Sequence, residues 1–259
     1  MKPIRALAII SIPALLAWNS IGNWVLEEQK GYTIQYTNAD KANKSDYVRL
    51  VDNGVKAVHV FFNSSYKNEF TVFVYPDRKG LDSTWQKDWN MPNFKSECWM
   101  VASGIATKLD MISPKMWDKE SCEHRYADSI KTQQLITHEL VHVYHGQQNP
   151  SPDFSNVTGI DWFVEGLAVY ASGQCDSARM AQVKKAITEN KTPAGLDKFW
   201  TGEYKYGLSG SVVMYIDKKY GREKLIALLK LTNITDLLAT LNTTEVELLS
   251  NWKEFVLNY

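Results

Sequence analysis

Five consecutive residues carry the strongest chemical signal in the chain: His138, Glu139, Leu140, Val141 and His142. On a helix, residues four apart differ by about 40° in direction and one turn in height, so both imidazoles face one point. Two neutral imidazoles at about 2.0–2.1 Å suit Zn²⁺. Glu139 projects to the side of that face, where it can act on a water without ligating the metal itself. The neighbours Leu135, Ile136, Leu140, Val141 and Val143 are apolar on several sides. That argues for a buried helix, and buried His and Glu need partners.

A catalytic zinc takes a third protein ligand and keeps one open position. Glu165 fits that role. It is the one carboxylate in the middle of an apolar stretch, with Ile160, Trp162, Phe163, Val164, Leu167, Ala168 and Val169 around it. An unpaired buried carboxylate costs several kcal/mol, so it should meet a cation; the competing expectation is a Lys or Arg partner. Gly166 and Ala168 would let this second helix approach the first closely. His145 lies about 10 Å along the axis from His138, too far to share the ion with the other ligands, and reads as structural.

The His138-Glu139-x-x-His142 segment, followed by Glu165 in Trp162-Phe163-Val164-Glu165-Gly166-Leu167-Ala168, resembles the gluzincin metallopeptidases. It is most similar to their aminopeptidase N and peptidase MA-like group. The metzincin pattern is absent, because His145 and Gln148 stand where it needs Gly and His. The resemblance covers roughly residues 100 to 230. It implies a short β-sheet whose edge strand aligns a peptide, followed by a helical part, with Lys108 to Ser113 as that edge strand. It also implies a Tyr or His downstream of the third ligand that donates to the oxyanion; Tyr206 occupies a similar position and Tyr204 is its rival. Two features depart from the family. Val169 stands where a thermolysin-like Asp would orient one histidine, so another group must do so. No GxMEN-like segment is found, which favours an endopeptidase over an aminopeptidase.

The elements that must position these residues follow from patterning. Strands are expected at Lys56 to Phe62 and Glu69 to Tyr75, where apolar and β-branched residues alternate, and at Lys108 to Ser113, stopped by Pro114. Residues 77 to 99, polar and rich in Trp and Pro, read as a long loop. Asp128 can cap a helix running to about Gln147, and Asp161 one running to Ser172. Further helices fit Ser177 to Glu189, Leu208 to Tyr220, Arg222 to Leu231 and Thr244 to Leu257. The expected fold is α+β and zincin-like: a small N-terminal mixed β-sheet packed on a helical C-terminal half. Its parts are a signal peptide (1–22), a strand-rich part (23–125) and a helical part with the zinc site (126–259).

Lys2 and Arg5 followed by the uncharged Ala6 to Trp18 form the pattern of a secretory signal peptide. The apolar run is short for a membrane span, so no stable span is expected after cleavage, although an uncleaved N-terminal anchor is the alternative. Export, to the periplasm or the medium, agrees with three cysteines, of which Cys98 and Cys122 flank one segment and are the expected disulfide, leaving Cys175. The chain has 259 residues, with Lys+Arg and Asp+Glu both at 29. A neutral chain lacks the field that gathers polyanions, which argues against nucleic acid as a partner. Aromatics at 12% argue against disorder.

The leading expectation is therefore an exported enzyme with one zinc ion that hydrolyses peptide bonds in a peptide or protein substrate. His138, His142 and Glu165 would hold the metal, Glu139 would be the general base, and Tyr206 the oxyanion donor. The alternatives are a non-catalytic binding protein of zincin fold and a zinc hydrolase of a non-protein amide such as cell wall.

Overall fold

The computed structural model describes residues 24–259, so the expected signal peptide lies outside the described residues. The chain opens with a hairpin of β1 (Trp24–Gln29) and β2 (Tyr32–Thr37), followed by α1 (Lys44–Phe62), β3 (Phe70–Tyr75) and α2 (Arg78–Asp88). Next come β4 (Ala102–Ile105), β5 (Lys108–Ile112) and the one-turn α3 (Trp117–Glu120). The rest is helical: α4 (Ser129–Gln148), α5 (Asp161–Ala171), α6 (Ser177–Thr188), α7 (Lys205–Tyr220), α8 (Arg222–Leu228), α9 (Ile234–Leu241) and α10 (Glu245–Asn258). The architecture is mixed α and β, with one five-stranded sheet and ten α-helices among the described residues. None of those helices is long and apolar enough to cross a membrane.

The sheet order is β1-β2-β3-β5-β4. β2, β3 and β5 run parallel, while β1 and β4 run antiparallel to their neighbours. This corrects one expectation: residues 108–112 form an interior strand, and the edge beside it is β4. Its sequence, Ala-Ser-Gly-Ile, carries little strand propensity, and it forms because β5 and α4 supply its partners. Gly104 permits that contact, because a Cβ there would meet the Glu139 carbonyl oxygen at 2.1 Å. The inner face of the sheet, with Val72, Val74, Leu109 and Met111 fully buried, joins one apolar core with Ile136, Leu140 and Val141 of α4. Each such side chain contributes roughly 1.5–3 kcal/mol when buried.

Three more expectations change. Lys56 to Phe62 is the end of helix α1. Its buried residues Tyr47, Leu50, Val51, Gly54, Val58 and Phe62 recur at helical spacing, and Val60, which completed the apparent alternation, is 70% exposed. Residues 78–88, expected as loop, form α2: Asp77 accepts a hydrogen bond from Gly80 N–H, and Leu81 and Trp85 bury one face. Asp161 is the first residue of α5, and the cap is Ile160. Asp128 does cap α4, accepting from Lys131 N–H.

Cys98 and Cys122 are joined as expected, and Cys175 is free and buried. Closing a loop of 24 residues stabilises by about 3 kcal/mol on the chain-entropy account. Arg78 holds the same loop from the other side. Its guanidinium donates to the carbonyls of Glu97 (2.8 Å), Cys98 (3.1 Å), Met100 (2.8 Å) and Glu120. Together these fix the segment that carries Trp99 to the rim of the cleft described next.

Candidate metal centre

His138 and His142 project from the middle of α4 into a cleft, and Glu165 reaches the same point from the middle of α5. The two Nε2 atoms are 3.1 Å apart, and Glu165 Oε2 lies 3.4 Å from one and 3.5 Å from the other. Around a tetrahedral ion with bonds of about 2.0–2.1 Å, neighbouring ligand atoms are about 3.3 Å apart, so two nitrogens and an oxygen at these spacings fit a divalent ion such as zinc. Both histidines are largely buried, whereas 28% of the Glu165 side chain stays exposed toward the cleft. Among the described residues these three form the only group of His, Cys, Asp and Glu that could hold a metal ion.

The tautomer of His138 is set by a residue that the sequence did not single out. Gln174, in the loop after α5, places Oε1 3.0 Å from His138 Nδ1. An amide oxygen can only accept, so Nδ1 carries the proton and Nε2 presents a lone pair to the metal point. The loop is held by Gln174 N–H to Val169 O (3.0 Å) and Gln134 Nε2 to Gly173 O (2.8 Å). Gln174 thus does the orienting work for which Val169 is unsuited. Gln174→Leu should weaken zinc binding by about 10- to 100-fold without unfolding the protein, as measured by zinc titration against a competing chelator. Unchanged affinity would show that this hydrogen bond is incidental.

Electrostatics separate the two glutamates. Burial raises the Glu165 carboxyl, but His142 and His138 outweigh it and hold that group far below the usual carboxylate range. Burial pushes Glu139 up to about 7, helped by Glu165, while His138 and the backbone N–H of Gly104 pull the other way. One carboxylate is therefore anionic at any ordinary pH, and its neighbour is poised to exchange a proton near neutrality.

The cleft is a cavity of about 390 Å³ lined by His138, Glu139, His142, Glu165, Tyr206 and the whole of β4. Tyr206, on the first turn of α7, faces it; Tyr204, the cap residue of that helix, does not line it. The Tyr206 ring packs edge-on against Trp200 (4.9 Å between centroids) and lies under the Arg179 guanidinium at 5.2 Å. Burial, with Glu165 next, pushes its phenol up, so it stays a hydrogen-bond donor. Phe154, in the connection between α4 and α5, adopts a left-handed φ of 59°, which is strained for a bulky residue. Its ring lies against His142 (6.1 Å between centroids) and His145 (4.8 Å).

His145 is fully buried away from the cleft, where Nε2–H donates to Leu229 O at 3.1 Å. Burial lowers its pKa to about 3, so it is a neutral, structural histidine. Gly166 does not serve α4 as expected. A Cβ there would meet Ser209 O at 2.4 Å, so the missing side chain brings α7, and with it Tyr206, up against α5. In the segment 77–99, Trp85 is buried with Nε1–H on Asp110 (3.1 Å), while Trp89 and Trp99 line the cleft. No protein-family model matches this chain, and no curated protein sequence matches it.

Proposed function

We propose that the protein is an exported zinc-dependent peptidase of the gluzincin kind, with its catalytic cleft between β4 and the α4–α5 pair. The observation that carries this reading is the His138–His142–Glu165 triangle with an ionisable Glu139 beside it. A bound zinc ion would supply Lewis acidity at that point, toward a water and toward the scissile carbonyl. Glu139 then takes one proton from the attacking water and delivers it to the departing amine as the C–N bond breaks. Tyr206 O–H donates to the oxygen that becomes negative on the attacked carbon. The free edge of β4 supports an extended backbone along the cleft. Export is supported by Lys2 and Arg5 before the apolar run and by the Cys98–Cys122 pairing.

Mass-spectrometric mapping of cuts in a diverse peptide library tests the reading. Zinc-loaded protein should cut internal bonds, a chelator should abolish every cut, and added zinc should restore them. A zinc-loaded protein that binds peptides but cuts none would point to the non-catalytic alternative. Cuts that persist in chelator would remove the metal from the reaction.

A further inference from the structure

A second cavity, of about 520 Å³, lies on the outer face of the sheet and shares Trp89, Ser103, Ile105 and Asp153 with the cleft. The strand register explains how the two communicate. Phe73 pairs with Asp110 and Asp110 with Ser103, while Lys108 pairs with Ile105, so these side chains form two cross-strand rows on one face. Ile112 N–H bonds Val101 O at 2.8 Å, which fixes the phase of the β4–β5 ladder. Ser103 and Ile105 then spend their backbone groups on β5, and Ala102 and Gly104 turn theirs to the open side. That leaves the backbone groups of Ala102 and Gly104 for a ligand strand. A peptide paired with that edge extends both rows, and its residues opposite Ser103 and Ile105 point into the outer cavity.

The lining selects among side chains. Aromatic rings of Phe73, Tyr75, Trp85 and Trp89 supply apolar walls, and Trp89 is still 42% exposed. Three carboxylates, Asp88, Asp110 and Asp153, face one ammonium, Lys108. Asp110 is fully engaged by Trp85 Nε1–H, Tyr75 O–H and Lys108. Asp88 bonds Lys108 through Oδ2, and Asp153 bonds Ser151 and Ser155 through Oδ1, so among the described residues each keeps one oxygen with no protein partner. A long apolar stem ending in a cation meets both features: ring faces for the stem, and two unspent carboxylate oxygens for the head.

We propose that this outer cavity takes a lysine or arginine side chain of a peptide laid along β4, which makes basic peptides the substrate class of the site. The proposal rests on the peptidase reading for its substrate, and it is tested by binding so that the two can fail separately. The probes are fluorescein-labelled nine-residue peptides of Ala, Ser and Thr with a single Arg, norleucine or Glu walked through the positions, titrated against zinc-loaded Glu139→Gln protein. At one register, Arg should bind about five- to tenfold tighter than norleucine, and Glu weaker than both. In a protein that also carries Asp88→Asn and Asp153→Asn, that preference should fall below about twofold. Asparagine keeps the acceptors for Lys108 and Ser155, so the fold, checked by thermal melting, should hold. Equal binding of Arg and norleucine at every register overturns the proposal, as does an Arg preference untouched by the two substitutions. Arg-dependent binding together with no cleavage by the zinc-loaded wild type would sustain the cavity's role and reject the hydrolase reading instead.

Discussion

Glu139→Gln should lower peptide hydrolysis by about a thousandfold while zinc content and melting temperature stay at wild-type values. The expectation follows from where the carboxyl sits. It leaves α4 beside the two histidines of the candidate site, it is not one of the three atoms of that triangle, and its helix packs directly against Gly104 of β4. Glutamine has nearly the same volume, so strand and helix remain in contact. It cannot take a proton from water, and that is the function removed. The fall should appear in kcat, because a base acts in the transition state and contributes little to holding substrate. Steady-state kinetics on any peptide cut by the wild type, with zinc measured by mass spectrometry of the same sample, decides the matter. Turnover within about tenfold of wild type would mean that another group handles the proton. A parallel loss of zinc would mean that Glu139 is part of the metal site.

Much of the candidate site was legible in the sequence because helical geometry is local. The i, i+4 spacing of His138 and His142 places both rings on one face whatever the rest of the chain does, and a lone carboxylate in an apolar helix marks Glu165. Residues whose roles depend on distant elements were not legible. Gln174 is an ordinary polar residue in a loop until α5 and α4 come together. Gly166 was legible as a close-approach glycine but its partner α7 was not, and Gly104 carried no signal until the assembled structure set the Glu139 carbonyl against it. The fold divided along the same line. Six of the seven helices from α4 onward were visible from their apolar periodicity and caps, whereas the eight-residue α9 was not expected. Helix α1 was obscured by a chance alternation at Val58, Val60 and Phe62, and the short β4 carries no signal of its own. Topology was out of reach for a simple reason: which strand lies at the edge is a property of the pairing, not of the strand.

Glu165→Ala should weaken zinc binding by about a thousandfold or more, a larger loss than Gln174→Leu, because it removes a ligand and not merely a ligand's support. The carboxylate does two things that alanine cannot. It supplies the oxygen corner of the 3.4 and 3.5 Å edges, and its negative charge balances part of the ion's charge in a half-buried place. The two imidazoles at 3.1 Å would remain, so residual binding should be that of a two-histidine site. The effect is separable from folding. Without metal, wild type and variant should melt within a few degrees of each other, since among the described residues the lost carboxylate pairs only with the two histidines. With zinc, the wild type should gain stability as RT ln(1 + [Zn]/Kd), so three decades in Kd correspond to about 4 kcal/mol at saturating metal. Melting curves across a zinc series for both proteins therefore read the assignment directly. If zinc raises the melting temperature of both equally, the third ligand lies elsewhere. If the variant is already unstable without metal, Glu165 is a structural carboxylate whose partners are the imidazoles themselves.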